Sequence, residues 1–153
     1  MKHKRWVYFA MFFTGLVLNL FGLMGPVHEF FHWLVSNLAE SPAKIVGWGL
    51  TAFDRPTLSA AVAGPFGEVL VLYILVYVFL HTKHMLATLF FLGAAHAAFL
   101  LGFTAGDFVD WVDYIAGFEV MVIALVVWTI VNAYMIVLAW IHIDKYFQER
   151  KKK

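Results

Sequence analysis

The chain has 153 residues, of which 63% are hydrophobic and 14% charged, with a formal net charge of +1 and no cysteine. Soluble domains average roughly 45–50% apolar and 25% charged residues, so this composition belongs to a membrane protein. The near-zero charge gives no general attraction to nucleic acid, and the absence of cysteine excludes disulfides, thiolate metal sites and cysteine nucleophiles.

The apolar residues fall in long runs. A hydrocarbon layer of ~30 Å takes roughly 20 apolar residues as helix. Four runs meet that length: Trp6–Met24, Ala60–Leu80, Met85–Ala105 and about Tyr114–Ile141. The first is as long as a full span, and Gly25-Pro26-Val27-His28 after it is a poor processing site, so it reads as a retained helix, not a secretory leader. Between the first two runs, Val27–Leu38 carries a short helical pattern. The stretch after it, Ser41 to Leu50, is rich in turn formers and short β-like pieces, too broken to span. Such a segment is expected at the interface or re-entrant within a protein-lined cavity. The fourth run exceeds what a crossing needs, so it is expected to tilt or to extend beyond the bilayer. The expected fold is therefore an all-α polytopic membrane protein forming one domain over residues 1–153. It has about four spans, a short helix over 27–38 and an irregular or re-entrant loop.

Lysine and arginine set the expected orientation. With four crossings, every basic residue except Lys44 and Arg55 lies on one side, nine of eleven in all. The positive-inside rule places that side, and both termini, in the cytoplasm. The 27–38 helix, the start of the second span and the Asp107–Asp113 cluster then share the opposite side and are free to meet.

His28-Glu29-Phe30-Phe31-His32 is the strongest local signal. On a helix, positions i and i+4 lie on one face, so both imidazoles can reach one Zn²⁺. Glu29 then stands beside the metal as the catalytic base, taking a proton from water and returning it to the leaving amine. A bare HExxH arises often by chance, and the bland alternative is an interfacial helix with solvated histidines. The adjoining membrane span, where ionisable groups are costly and usually functional, favours the metal.

A catalytic zinc takes a third protein ligand and keeps one open position. Asp107 and Asp110 are the candidates, ahead of Asp113. Spacing of three brings these carboxylates toward one face if the fourth helix has already begun, although an acidic residue at a helix start also serves as a cap. The second span opens with Ala63-Gly64-Pro65-Phe66-Gly67-Glu68. Pro65 marks a helix boundary, and Gly64 and Gly67 permit close backbone approach. Glu68, about one turn into an apolar helix, must face protein or water. It is expected to orient a zinc-bound histidine, bind substrate, or ligate metal itself, against the alternative of a protonated packing residue. His96 and Glu119 read as hydrogen-bonded structural groups, and His81 and His84 as solvated residues of a turn.

HExxH beside an apolar segment, followed by Ala63-Gly64-Pro65 opening a later span, resembles the site-2 protease family of intramembrane zinc metalloproteases. That family shows HExxH, an AGPxxN-like element and an aspartate in an LDG-like motif on a third core helix. The resemblance covers roughly Phe21 to Trp111 and implies a minimal core that hydrolyses a transmembrane protein or peptide substrate within the lipid bilayer. It makes His28 and His32 zinc ligands, Glu29 the base and Asp107 or Asp110 the third ligand. Glu68 stands where the family usually has Asn, Gly106-Asp107 reverses the order of LDG, and the charge pattern puts the site on the non-cytoplasmic side, unlike many members.

Two other functions share parts of this pattern. A membrane di-iron hydroxylase or desaturase would use His28-x₃-His32 and His81-x₂-His84, but such sites take around eight histidines on one side and the chain has seven in all. A non-catalytic membrane binding or assembly protein, possessing a metal site without turnover, is the remaining alternative.

Overall fold

The computed structural model describes the backbone of residues 2–39, 41–48, 50–102 and 107–151, and the side chains of 6–39, 41–48, 50–102 and 110–150. The chain is mostly helical. In order it forms α1 (Lys2–Leu20), α2 (Gly25–Leu38), a hairpin of β1 (Ala43–Gly47) and β2 (Leu50–Phe53), α3 (Leu58–His81), α4 (Met85–Leu101), a π-helical turn (Asp107–Val112), α5 (Asp113–Ala116) and α6 (Phe118–Lys151).

Two helices, Leu58–His81 and Phe118–Arg150, are long and apolar enough to cross a membrane, and the pair Trp6–Leu20 and Gly25–Leu38, bent by 50°, meets the same test jointly. That makes two or three candidate spans among the described residues. Met85–Leu101 is apolar but shorter. The first expected span divides because the helix stops at Leu20. Gly22 then takes φ +83, a left-handed conformation cheap only for glycine, and the chain restarts at Gly25 with Pro26 in the first turn.

The segment expected to be irregular is an antiparallel hairpin. Ala43 pairs with Phe53, Lys44 with Ala52 and Ile45 with Thr51, and the register shifts between Ile45 and Gly47. Side chains staple it to the helices. Ser36 Oγ donates to the Ser41 carbonyl, and Ser41 Oγ donates to the Arg55 carbonyl, closing the base of the hairpin. Trp48 Nε1 donates to Gly22 O at 3.0 Å, tying its tip to the α1–α2 turn.

α3 starts at Leu58, capped by Thr57, whose hydroxyl accepts from Ala60 N at 3.3 Å. Pro65 is thus inside the helix, not at its boundary. With no N–H to offer, it leaves the Ala61 carbonyl without its usual helical donor. α1 and α4 pack backbone to backbone. A Cβ on Gly15 would stand 1.8 Å from Phe90 O, and one on Gly93 would stand 1.9 Å from Phe12 O. Small residues at a helix crossing gain dispersion contacts that larger side chains would prevent. α3, α4 and α6 enclose the core around Leu72, Ala94, Ala95 and Trp128, and a second cluster of Val76, Leu80, Leu89, Leu92, Ala139 and Ile143 continues it.

The fourth expected span begins later than Tyr114, because Gly117 at φ +87 separates α5 from α6. At ~1.5 Å per residue the 34 residues of α6 reach roughly 51 Å, well beyond a hydrocarbon layer. Asn132 and Tyr73 form a buried polar bridge between α6 and α3. Ile123, Ile130, Val137 and Ile141 on α6 are exposed, as are Leu70, Ile74 and Val78 on α3.

Candidate metal centre

α2 carries His28, Glu29 and His32 on one face, and α3 lies against it. Glycines make this approach possible. A Cβ on Gly64 would meet His32 Nε2 at 2.2 Å, and one on Gly67 would meet the Phe31 ring at 2.0 Å. The imidazole therefore lies where only a glycine leaves space.

Each histidine is held from its Nδ1 side. His28 Nδ1 is 3.0 Å from Glu68 Oε2, and His32 Nδ1 is 2.6 Å from the Ala60 carbonyl oxygen. A carboxylate and a carbonyl both accept, so both Nδ1 atoms are assigned as N–H donors. In the neutral rings this turns each Nε2 into a lone-pair donor to a cation. Those two Nε2 atoms stand 3.0 Å apart, with the ring planes at 72°.

Glu68 is fixed in turn. Its Oε1 accepts from Asn19 Nδ2 at 2.8 Å. Asn19 Nδ2 also donates to Ala94 O at 3.0 Å, and Asn19 Oδ1 accepts from Met24 N at 3.0 Å. The amide is wholly buried and links α1, α3, α4 and the start of α2. Asn19 was not singled out from sequence. Its signal was a lone amide within an apolar run, a group that needs partners in such a setting. The hairpin adds a further brace: Thr51 Oγ1 donates to the Glu29 carbonyl at 3.3 Å, and Phe53 packs its ring on His32 at 5.7 Å.

His28, Glu29 and His32 each offer one ligand atom, all within 4.8 Å of one another, and this group could hold a metal ion. Two imidazole nitrogens and a carboxylate oxygen match the donors that zinc accepts, and the Nδ1 anchors match the carboxylate and carbonyl supports common behind metal-bound histidines. The residues present fit a metal.

The aspartates are placed differently. Asp110 and Asp113 are exposed and stand outside the His28–Glu29–His32 group. The Asp107 side chain lies outside the described residues. The expected α-helical spacing of three does not hold here, because Asp107–Val112 is a π-helical turn with i→i+5 bonding. The turn is nonetheless near the centre: it packs on α3, and Trp111 contacts Phe53 at 5.9 Å. Pro65 is buried in α3 next to Gly64. His96 donates from Nδ1 to Leu92 O at 2.7 Å and packs against Phe12 and Trp140. Glu119, His81 and His84 are exposed.

No protein-family profile matches this chain, and neither does any curated protein or solved structure compared with it.

Proposed function

We propose that this protein is an intramembrane zinc metallopeptidase of the site-2 protease type, hydrolysing a peptide bond in a membrane-embedded protein or peptide. One observation carries the reading: the two Nε2 atoms of HExxH converge at 3.0 Å while both Nδ1 atoms are turned to acceptors. His28 and His32 would hold the zinc, with Asp107 or Asp110 from the π-helical turn as the third ligand. Zinc bound there supplies Lewis-acid polarisation of a carbonyl and acidifies water to a pKa near ~7.

The chain's own residues do the rest. Glu29 accepts the proton of the attacking water at its carboxylate and returns it to the nitrogen of the departing amine. Glu68 keeps His28 in the tautomer that presents Nε2, and Asn19 keeps Glu68 in place. The Ala60 carbonyl does the same for His32. Apolar walls from α2 and α3 limit water, so a substrate helix must unwind locally to expose a peptide bond. This reading retains four crossings, with the 17 residues of α4 at the short end of the spanning range, and both termini in the cytoplasm.

Glu68, standing where the family usually has Asn, is fully engaged by His28 and Asn19. That favours the second reading, a membrane assembly subunit that binds metal without turnover. Glu29→Gln separates the two. In proteoliposomes loaded with zinc and labelled single-span peptides, a peptidase loses cleavage in this variant and keeps its metal. Zinc binding without cleavage by the wild type, across a varied peptide set, favours the assembly subunit.

A further inference from the structure

At the other end of α3 from the His28–His32 pair, the surface folds into a cavity of about 490 Å³. Its two cationic side chains come from distant parts of the chain, Lys83 from the α3–α4 turn and Arg150 from the end of α6, and His84 lines it beside Lys83. Tyr8 and Tyr146 also line it, and no acidic side chain does so among the described residues.

Two details distinguish this arrangement from scattered solvated charge. Lys83 has φ +62, a left-handed conformation that an L residue with a long side chain rarely adopts. Glycine or asparagine would hold that turn at lower cost, yet the position carries a cation that faces the cavity. The Arg150 guanidinium lies 5.2 Å from the centroid of the Tyr146 ring, so one face is held by the ring while its N–H edge remains available to an anion. The remaining wall is apolar, formed by Phe79, Met85 and Leu86, the last of them exposed.

A cavity lined by two cations, two tyrosines and an apolar wall, on apolar helices, has the chemistry to take an anionic lipid. We infer that this cavity binds a phosphate-bearing lipid headgroup, with Lys83 and Arg150 on the phosphate and the acyl chains along Phe79 and Leu86. Nothing in this depends on the metal centre.

The test uses the full chain purified in detergent, with lipid adducts counted by native mass spectrometry during titration with phosphatidylglycerol, phosphatidylcholine or glycerol 3-phosphate. Phosphatidylglycerol should bind in preference to phosphatidylcholine. Lys83→Gln should weaken it about fivefold and Lys83→Gln with Arg150→Gln about thirtyfold. The Lys44→Gln, Arg55→Gln pair should leave binding unchanged. Lys83→Gly relieves the backbone while removing the charge, so it should lose lipid without unfolding earlier. Equal binding of the two lipids, or an equal loss in the Lys44 and Arg55 variant, would overturn the site. Glycerol 3-phosphate binding as tightly as phosphatidylglycerol would overturn the assignment to lipid.

Discussion

The Nε2 atoms of His28 and His32 lie 3.0 Å apart, and each ring is fixed from behind by an acceptor. With both Nδ1 atoms donating to acceptors, both Nε2 lone pairs are left for a cation, and the two nitrogens already stand close enough to share one. The prior cost of ordering both rings is met by the fold, through Glu68 and the Ala60 carbonyl, before any ion arrives.

Glu68→Gln tests that support. Asn19 Nδ2 and His28 Nδ1 both donate to Glu68, and a glutamine offers one acceptor and turns its NH₂ toward the second donor. Zinc affinity, measured by competition with a chromophoric chelator, should fall about 10- to 100-fold. Asn19→Leu should shift it in the same direction, because Glu68 loses its brace and Met24 N loses its acceptor.

Gly64→Ala should abolish tight metal binding while leaving helix content intact. Alanine favours helix more than glycine does, by about 1 kcal/mol, so α3 itself is not weakened. The added Cβ would stand 2.2 Å from His32 Nε2 and must push the ring out of line. Circular dichroism read together with metal content distinguishes this from unfolding.

Gly15→Ala and Gly93→Ala should each lower the thermal unfolding temperature in detergent. Their Cβ atoms would meet backbone carbonyl oxygens, which cannot rotate away as side chains can. Overpacking of this kind costs about 1–3 kcal/mol. Since both residues serve the α1–α4 contact, the double variant should lose less than the sum of the two.

Asp107→Ala or Asp110→Ala should reduce zinc content if the π-helical turn supplies the third ligand, and Asp113→Ala should not. Equal zinc in all three variants would move the third ligand elsewhere, with Glu29 as the next candidate, because its carboxylate belongs to the same group as the two imidazoles.

Much of the centre was legible in sequence because it is local. HExxH places two imidazoles on one face by helical periodicity alone, and Glu68 and Gly64 stood out as a charge and a small residue at the start of an apolar helix. Asn19 was not legible in the same way, since its meaning comes from partners at Glu68 and Ala94, 49 and 75 residues away. The breaks at Gly22 and Gly117 were missed because hydropathy continues across them, and only the positive φ reveals the turn. The β-like pieces of the hairpin were readable, but their pairing was not, since its strands are short and its anchorage through Ser36, Ser41 and Trp48 depends on α2 and the α1–α2 turn.

Metal content of the detergent-purified protein, compared with His28→Ala and His32→Ala, tests the central claim most directly. The account predicts about one zinc per wild-type chain and little in either variant, with helix content unchanged. A wild type that binds no zinc even after reconstitution, while remaining folded, would contradict it and leave the His28–His32 contact as a structural hydrogen bond.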